Sequence, residues 1–281
     1  MTSFPGTIGI VGLGQIGGSI GLGLRKRAPE LRLVGVDIRK ARAEEARSFL
    51  DAASTSIDVL QDADWIILAV PVRTILYLME NLFGRFPGAT FLDTGSTKQE
   101  IVARAEGLGQ DFHFVGGHPL AGSEKAGEAG WDADLFQGRP FFLTRVLVNS
   151  PMNEIAEQLV VLLDARPVWV DPGIHDRLLS YSSHFAYLLS ALYLLQGASG
   201  DKLQPDFLGS GFKSMARLAG SSSEMGIDML LSNREYVLDE LRSFKKALET
   251  VETWLEKNKT EELKKWLRLS EFIWKDIASG D

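Results

Sequence analysis

The chain contains no cysteine. That excludes a disulfide framework, a thiol nucleophile and a cysteine-ligated metal, and no other metal site is expected. It also lacks an excess of positive charge: 30 Lys and Arg against 37 Asp and Glu give a formal net charge of −7, with a sequence pI of about 5.3. This balance argues against nucleic acid or an anionic membrane as a partner. Anionic small ligands stay open, because local cations can outweigh a global charge. No basic and apolar leader precedes the first strand-like run, so a cytoplasmic protein is the expectation. One segment, Leu178 to Leu195, approaches the length of a membrane span. It carries Ser180, Ser182, Ser183, His184 and Ser190 and follows Asp176 and Arg177. It therefore reads as the buried centre of a helical domain or dimer.

What is present suits a soluble globular protein: 281 residues, 45% hydrophobic and 24% charged, enough for two domains or one large α/β domain. Thr7 to Val11 is a short β-rich run followed at once by Gly12-Leu13-Gly14-Gln15-Ile16-Gly17. The spacing is G-x-G-x-x-G between a strand and a helix. Gly12 permits the tight turn and Gly14 the approach of a pyrophosphate, while Gly17 lets helix and strand pack. Gln15 and Ile16 lie in the same loop. A second strand, Leu31 to Val36, ends at Asp37, about twenty residues beyond the last glycine. An acid there accepts hydrogen bonds from a ribose hydroxyl and repels a 2′-phosphate, which favours NAD over NADP. Arg39 and Lys40 lie close enough to tolerate a phosphate.

Apolar strands continue to alternate with helices. Asp64 to Val70 stops at Pro71, a helix covers about Arg73 to Phe83, and Ala89 to Leu92 leads into Asp93-Thr94-Gly95-Ser96-Thr97-Lys98. Such alternation implies a doubly wound parallel sheet, with ligands beyond the carboxyl ends of its strands. Those ends are the glycine loop, Asp37, Val70-Pro71, Gly95-Ser96 and Gly116 to His118. Ser96 and Thr97 each fit a capping box with Gln99 and Glu100, and Lys98 reads as a solvated first-turn residue. Phe112 to Val115 reads as a buried strand ending on Gly116-Gly117, a bare backbone against which a nicotinamide ring could lie. Pro119 keeps His118 off helical geometry. A histidine on a stiff turn beside a cofactor suits general-base catalysis, although alone it reads as well as the cap of a strand.

Arg139 to Thr144 and Pro167 to Val170 look like two more strands, with a helix from about Met152 to Leu163 between them. After Asp171-Pro172-Gly173 the chain reads as helix throughout. The expected division is a dinucleotide-binding domain over 1–170 and an all-helical substrate and dimerisation domain over 171–281. Ser221-x-x-Glu224 fits a cap. Val237, Leu241, Phe244, Leu248, Val251 and Leu255 form a narrow packing seam. Leu263, Trp266, Leu267, Ile273, Trp274 and Ile277 share a face of the last helix as core or interface residues. A half this apolar suggests a homodimer.

These motifs resemble the prephenate and arogenate dehydrogenases of tyrosine biosynthesis through most of the chain. The resemblance rests on Gly12-x-Gly14-x-x-Gly17, Asp93-x-Gly95-Ser96-x-Lys98 and, most specifically, Gly116-Gly117-His118-Pro119-Leu120-Ala121-Gly122-Ser123-Glu124-Lys125-x-Gly127. His175-Asp176, Ser183-His184, Gly211-Phe212-Lys213-x-x-x-Arg217 and Ser232-Asn233 extend it. It implies a Rossmann domain followed by a helical dimerisation domain. It also implies NAD-dependent oxidative decarboxylation of prephenate to 4-hydroxyphenylpyruvate, with arogenate as the alternative substrate. His118 matches the family's catalytic histidine and Ser96 the serine that orients the same ring hydroxyl. Arg217 matches the arginine that binds substrate carboxylate, and His184 a histidine lining the pocket. Ser123, Glu124 and Lys213 fall at substrate-binding positions, with Glu124 as a partner for Arg217 in the empty site. As a residue alone, His184 also reads as a satisfied core histidine.

The chain departs from the family pattern twice. Tyr187 stands where many members have a second histidine, and Gly226 where several have an aromatic residue. No added chorismate mutase domain is expected ahead of Thr7, and no regulatory domain after residue 281. A β-hydroxyacid or imine reductase would place a Lys or Asp on the central helix, where this chain has His184 and Tyr187. A sensor that binds NAD without turnover would leave His118, Ser96 and Arg217 with no shared task.

Overall fold

The computed structural model describes residues 4–122, 127–199 and 202–279. Its strands are β1 (Thr7–Val11), β2 (Arg32–Val36), β3 (Ala52–Ser54), β4 (Trp65–Leu68), β5 (Thr90–Asp93), β6 (Phe114–Pro119), β7 (Pro140–Arg145) and β8 (Arg166–Trp169). They form one sheet in the order β3-β2-β1-β4-β5-β6-β7-β8. Strands β1 to β6 run parallel, β7 is antiparallel to β6, and β8 is parallel to β7. This is the doubly wound Rossmann-type sheet that the alternating pattern implies.

Strand apolarity explains why both faces are covered. In β4, Trp65 and Ile67 join a core with α1 (Gln15–Arg27), α2 (Lys40–Ala46) and α5 (Met152–Leu162). Ile66 and Leu68 point the other way, into a core with α3 (Val72–Arg85) and α4 (Gln99–Gly107). Successive side chains of a strand face opposite sides, so a strand buried on both must be apolar throughout. Each fully buried Leu or Ile contributes about 1.5–3 kcal/mol.

The helices after the sheet are α6 (Pro172–Leu179), α7 (Ala186–Ala198), α8 (Ser210–Ala216), α9 (Ser223–Ser232), α10 (Arg234–Glu256) and α11 (Thr260–Ala278). Asp171 starts α6 by accepting hydrogen bonds from the Gly173 and Ile174 N–H groups, with Pro172 in the first turn. A π-helical turn, Ser180–Phe185, joins α6 to α7. The apolar segment is thus one helical path with a π insertion, and by length and composition Pro172–Ala198 could cross a membrane. It is only partly buried within the chain, leaving Leu178, Tyr181 and Leu195 exposed.

Two expected caps are replaced. Neither Ser96 nor Thr97 caps α4; the backbone N–H groups of Lys98 and Gln99 donate to the Asp176 carboxylate at 2.7 and 2.8 Å. Likewise, Val72 and Arg73 at the start of α3 donate to Asp228 at 2.6 and 3.1 Å. A buried carboxylate takes two N–H groups and complements the helix dipole, which outcompetes a local hydroxyl. Ser222, rather than Ser221, accepts from Met225 at the start of α9. These long-range caps weld the first helices after residue 171 to the sheet, and the compact unit runs from Met1 to Arg234.

The second unit, Glu235–Asp281, holds the rest of α10 and α11. Asn258 makes the turn between them in the left-handed region, at φ 49°. Leu248 and Leu255 on α10 are exposed, as are Trp266, Trp274 and Ile277 on α11.

Asp228→Ala removes the cap of α3 and is expected to lower stability by about 1–2 kcal/mol. The urea midpoint measures this; an unchanged midpoint would show that the α3 terminus is satisfied otherwise.

Candidate active site

The glycine loop turns at Gly12, whose φ of +88° lies in the region glycine favours; a Cβ there would meet the Ala69 carbonyl and Val70. Gly17 has no room for a Cβ against the Gly12 carbonyl, so α1 packs directly on the turn. Gly14 faces open space, and no side chain caps α1. An open glycine at an uncapped helix start fits a pyrophosphate. The loop is tied to β2 through Asp37, whose carboxylate accepts from Leu13 N and Arg39 N, both at 2.8 Å. The cation on Asp37 is neither Arg39 nor Lys40 but Arg42, 3.2 Å away and also 3.1 Å from Glu128. Val70 lies against Gly12, and Pro71 forms the cap residue of α3.

Trp131 fixes the same loop by its carbonyls. Its indole N–H donates to the Leu13 and Gly14 carbonyls at 3.0 and 3.1 Å, over a site where Gly18 has no Cβ to block it. A Cβ added to Gly122, four residues after His118, would lie within van der Waals reach of the Gln15 side chain. The stretch containing His118 therefore passes beside the glycine loop.

His118 sits half-buried near the end of β6, and not on a turn after it: the strand continues past Gly116 and Gly117 to Pro119, with His118 paired opposite Phe142 of β7. The glycines before it serve packing within the sheet: a Cβ on Gly116 would strike Thr144 and one on Gly117 the Asp93 carbonyl. The bare backbone expected to receive nicotinamide is thus already covered by β5 and β7. Lys98 is also corrected. It is wholly buried, and its ammonium pairs with Asp93 and donates to the Gly117 carbonyl at 2.6 Å. Asp93 in turn accepts from Gly95 N at 2.7 Å and Gly117 N at 2.9 Å. Burial pushes the Asp93 carboxyl up and the Lys98 ammonium down; each opposes the shift in the other. Gly95 is thereby pinned, while the half-buried Ser96 hydroxyl has no partner among the described residues.

Beyond His118 lies a polar chain that the sequence did not reveal. His118 Nδ1 is 2.9 Å from His175 Nε2, and His175 Nδ1 is 2.7 Å from Asp176 Oδ1. Phe142 of β7 packs against both imidazoles. The Asn233 amide nitrogen donates to the Asp176 carbonyl at 2.8 Å and to His184 Nδ1 at 2.9 Å. With Nδ1 accepting, neutral His184 carries its proton on Nε2, which is buried without a partner among the described residues. Burial, then His175, Lys98 and His184, hold the His118 imidazole well below its usual 6.5. Burial lowers His184 to about 4 despite Asp176.

Lys213 and Arg217 are exposed on α8 and the turn after it. No hydrogen bond or ion pair links either to His118 among the described residues. Ser123 and Glu124 lie outside the described residues. The two departures are one packing event: the Tyr187 ring fills the space that a side chain at Gly226 would need.

Residues 20–166 match the model of the prephenate dehydrogenase nucleotide-binding domain, and residues 171–269 that of the prephenate dehydrogenase dimerization domain. The chain belongs to the prephenate dehydrogenase family. Prephenate dehydrogenase of Bacillus subtilis is 33% identical over 292 residues, spanning 100% of this chain and 77% of that protein. A crystal structure of prephenate dehydrogenase from A. aeolicus with hydroxyphenyl propionate and NAD+ matches with a TM-score of 0.87 at 27% identity, covering 99% of both chains. Arogenate dehydrogenase of Synechocystis matches with a TM-score of 0.77 at 30% identity, covering 94% of this chain and 97% of that one. Membership makes the chain an oxidoreductase of the prephenate/arogenate dehydrogenase class, with a nucleotide-binding Rossmann domain.

The His184 value gives a stability prediction. Between pH 6.5 and about 4 the unfolded chain binds a proton that the folded chain does not, so stability falls on acidification through that window. The loss from this group approaches about 3 kcal/mol. Urea unfolding at pH 7 and pH 4.5 should show a smaller acid loss in His184→Gln; an equal loss would assign the proton elsewhere.

Proposed function

We propose that the chain oxidises and decarboxylates prephenate to 4-hydroxyphenylpyruvate with NAD, a step of tyrosine biosynthesis. The observation that carries this reading is His118: an imidazole near the carboxyl end of β6 that burial and its neighbours keep neutral, with one nitrogen engaged by His175 and the other without a partner among the described residues. NAD is held by the glycine loop through Gly12, Gly14, Gln15, Ile16 and Gly17, flanked by Val70, Pro71 and Gly95. Asp37 takes the ribose hydroxyls, which favours NAD over NADP. Bound there, the nicotinamide supplies the hydride acceptor.

His118 Nε2 accepts the proton of the ring hydroxyl, which raises electron density on the carbon that must lose hydride. The unpartnered Ser96 hydroxyl orients the same oxygen. Loss of the ring carboxylate as carbon dioxide leaves the ring aromatic. His184 Nε2–H, buried without a partner, donates to the substrate. The planar guanidinium of Arg217 meets a carboxylate in two-pronged fashion, supported by Lys213 and Ser123, with Glu124 as the partner of Arg217 in the empty site. Residues 1–170 form the nucleotide-binding part and 171–281 the substrate and dimerisation part. A homodimer is supported by the dimerization-domain match and the exposed apolar residues of α10 and α11.

Arogenate is the second reading, favoured by the similarity to the Synechocystis arogenate dehydrogenase. The two substrates differ in a side-chain ammonium, and paired assays with NAD and NADP separate all four combinations. Reduced cofactor should appear fastest with prephenate and NAD; no signal in any combination would remove the reading.

His118→Asn should lower turnover by roughly 10²–10⁴-fold while NAD still binds; retained turnover would point to a different base. Because His118 titrates well below 6.5, kcat/KM should hold steady as pH falls past 6.5 and drop only in more acid solution. A drop centred at or above 6.5 would contradict the buried environment. Arg217→Ala should raise the KM for substrate, and an unchanged KM would take it out of the site.

A further inference from the structure

We infer that His175 and Asp176 form a proton relay behind His118, so that the charge generated at the base is passed inward and comes to rest on a buried histidine–carboxylate pair. This rests on the reading of His118 as the base.

With His175 neutral in the resting protein, the polarity of the chain follows from its two ends. Asp176 Oδ1 accepts from Lys98 N and Oδ2 from Gln99 N, so the group acts as an ionised acceptor. His175 must then carry its proton on Nδ1, donating to Asp176 across 2.7 Å. That leaves His175 Nε2 as an acceptor, and its neighbour at 2.9 Å, His118 Nδ1, must be the donor. His118 is thereby fixed as the tautomer whose Nε2 lone pair is open to a substrate hydroxyl.

The same chain answers an electrostatic problem. His118 faces His175 and His184 from the helical segments and Lys98 from the loop after β5, each a cation or a potential one. Asp93 is engaged by Lys98 and the Gly95 and Gly117 N–H groups. No carboxylate contacts the His118 ring among the described residues, so a positive charge left there would be poorly compensated. Asp176 is reached only through His175. When the substrate proton arrives on His118 Nε2, the Nδ1 proton moves onto His175 Nε2. His118 is then neutral again, and His175 holds both protons against Asp176. One proton has entered and none has left, and no electrons have been exchanged along the chain. His175 touches no substrate in this scheme; it is a positioning and proton-accepting residue.

His175→Gln separates the two roles. The Gln carbonyl can accept from His118 Nδ1 and its amide can donate to Asp176, but it cannot take a proton. The relay predicts a fall in kcat of about 10²-fold, with the KM for prephenate and the Kd for NAD within threefold of the parent. His175→Phe, which also releases the tautomer, should fall further. Full kcat in His175→Gln would overturn the relay. A second readout needs no turnover: nitrogen NMR of the histidine-labelled protein should report His118 protonated on Nδ1 and His175 on Nδ1. His118 protonated on Nε2 would overturn the proposal even if a variant failed to fold. If the parent protein turned over neither prephenate nor arogenate, the functional reading would fail; the NMR result would still decide the chain's polarity.

Discussion

One carboxylate holds the site together. Asp176 ends the polar chain from His118 and caps α4 with both of its oxygens. The loop that carries Lys98 and Ser96 therefore cannot shift without disturbing His175. An isolated ionised carboxylate inside a protein is costly; three donors offset that cost here. Truncating such a group leaves all of its donors unsatisfied at once, which is worse than losing one surface pair. The position is structural and electrostatic together, and the two roles do not separate cleanly.

Around that group the protein builds an environment for one neutral base. The Asp93–Lys98 pair is buried beneath β6 and pins Gly117, so the backbone just before His118 has little freedom. Phe142 packs against the two imidazoles from β7. Desolvation and neighbouring cations both disfavour a proton on His118, so it stays neutral and ready to accept one. On the cofactor side, Asp37 holds the glycine loop by its Leu13 N–H and Trp131 by its Leu13 and Gly14 carbonyls. The stretch from His118 to Trp131 thus connects base and nucleotide loop through a short length of chain. The coupling is covalent as well as spatial.

The sequence made legible whatever is local or periodic. G-x-G-x-x-G, the acid at Asp37 and the apolar strands up to β5 all carry their signal within a few residues and stand where the pattern put them; β6, expected to end on Gly116 and Gly117, instead runs on through His118 to Pro119, because β7 pairs with it there. The three-residue strand β3 is too short to show a period, and the sequence reading passed over it. Lys98 was misread because a lysine in a polar loop looks solvated; only its partner Asp93 and the β6 carbonyl above it make burial tolerable. The capping boxes at Ser96 and Thr97 failed for a related reason, since Asp176, some eighty positions away, competes for the same N–H groups. His175 was visible only as half of a dipeptide. A π turn has no recognisable period, so nothing in the sequence of the helix from Asp176 to Gln196 marked where His184 would point. A buried ionisable pair formed between distant segments leaves no local trace. Gly116 and Gly117 show the converse: their glycines were noticed, but the neighbours that require them, Thr144 and the Asp93 carbonyl, come from other strands.

The most direct measurement is a crystal structure of the protein with NAD and a 4-hydroxyphenyl substrate analogue. The account predicts the ring hydroxyl within about 2.6–3.2 Å of His118 Nε2, with His118 Nδ1 still bonded to His175. A hydroxyl bound to another group, or a His118 ring turned away from the nicotinamide, would contradict it.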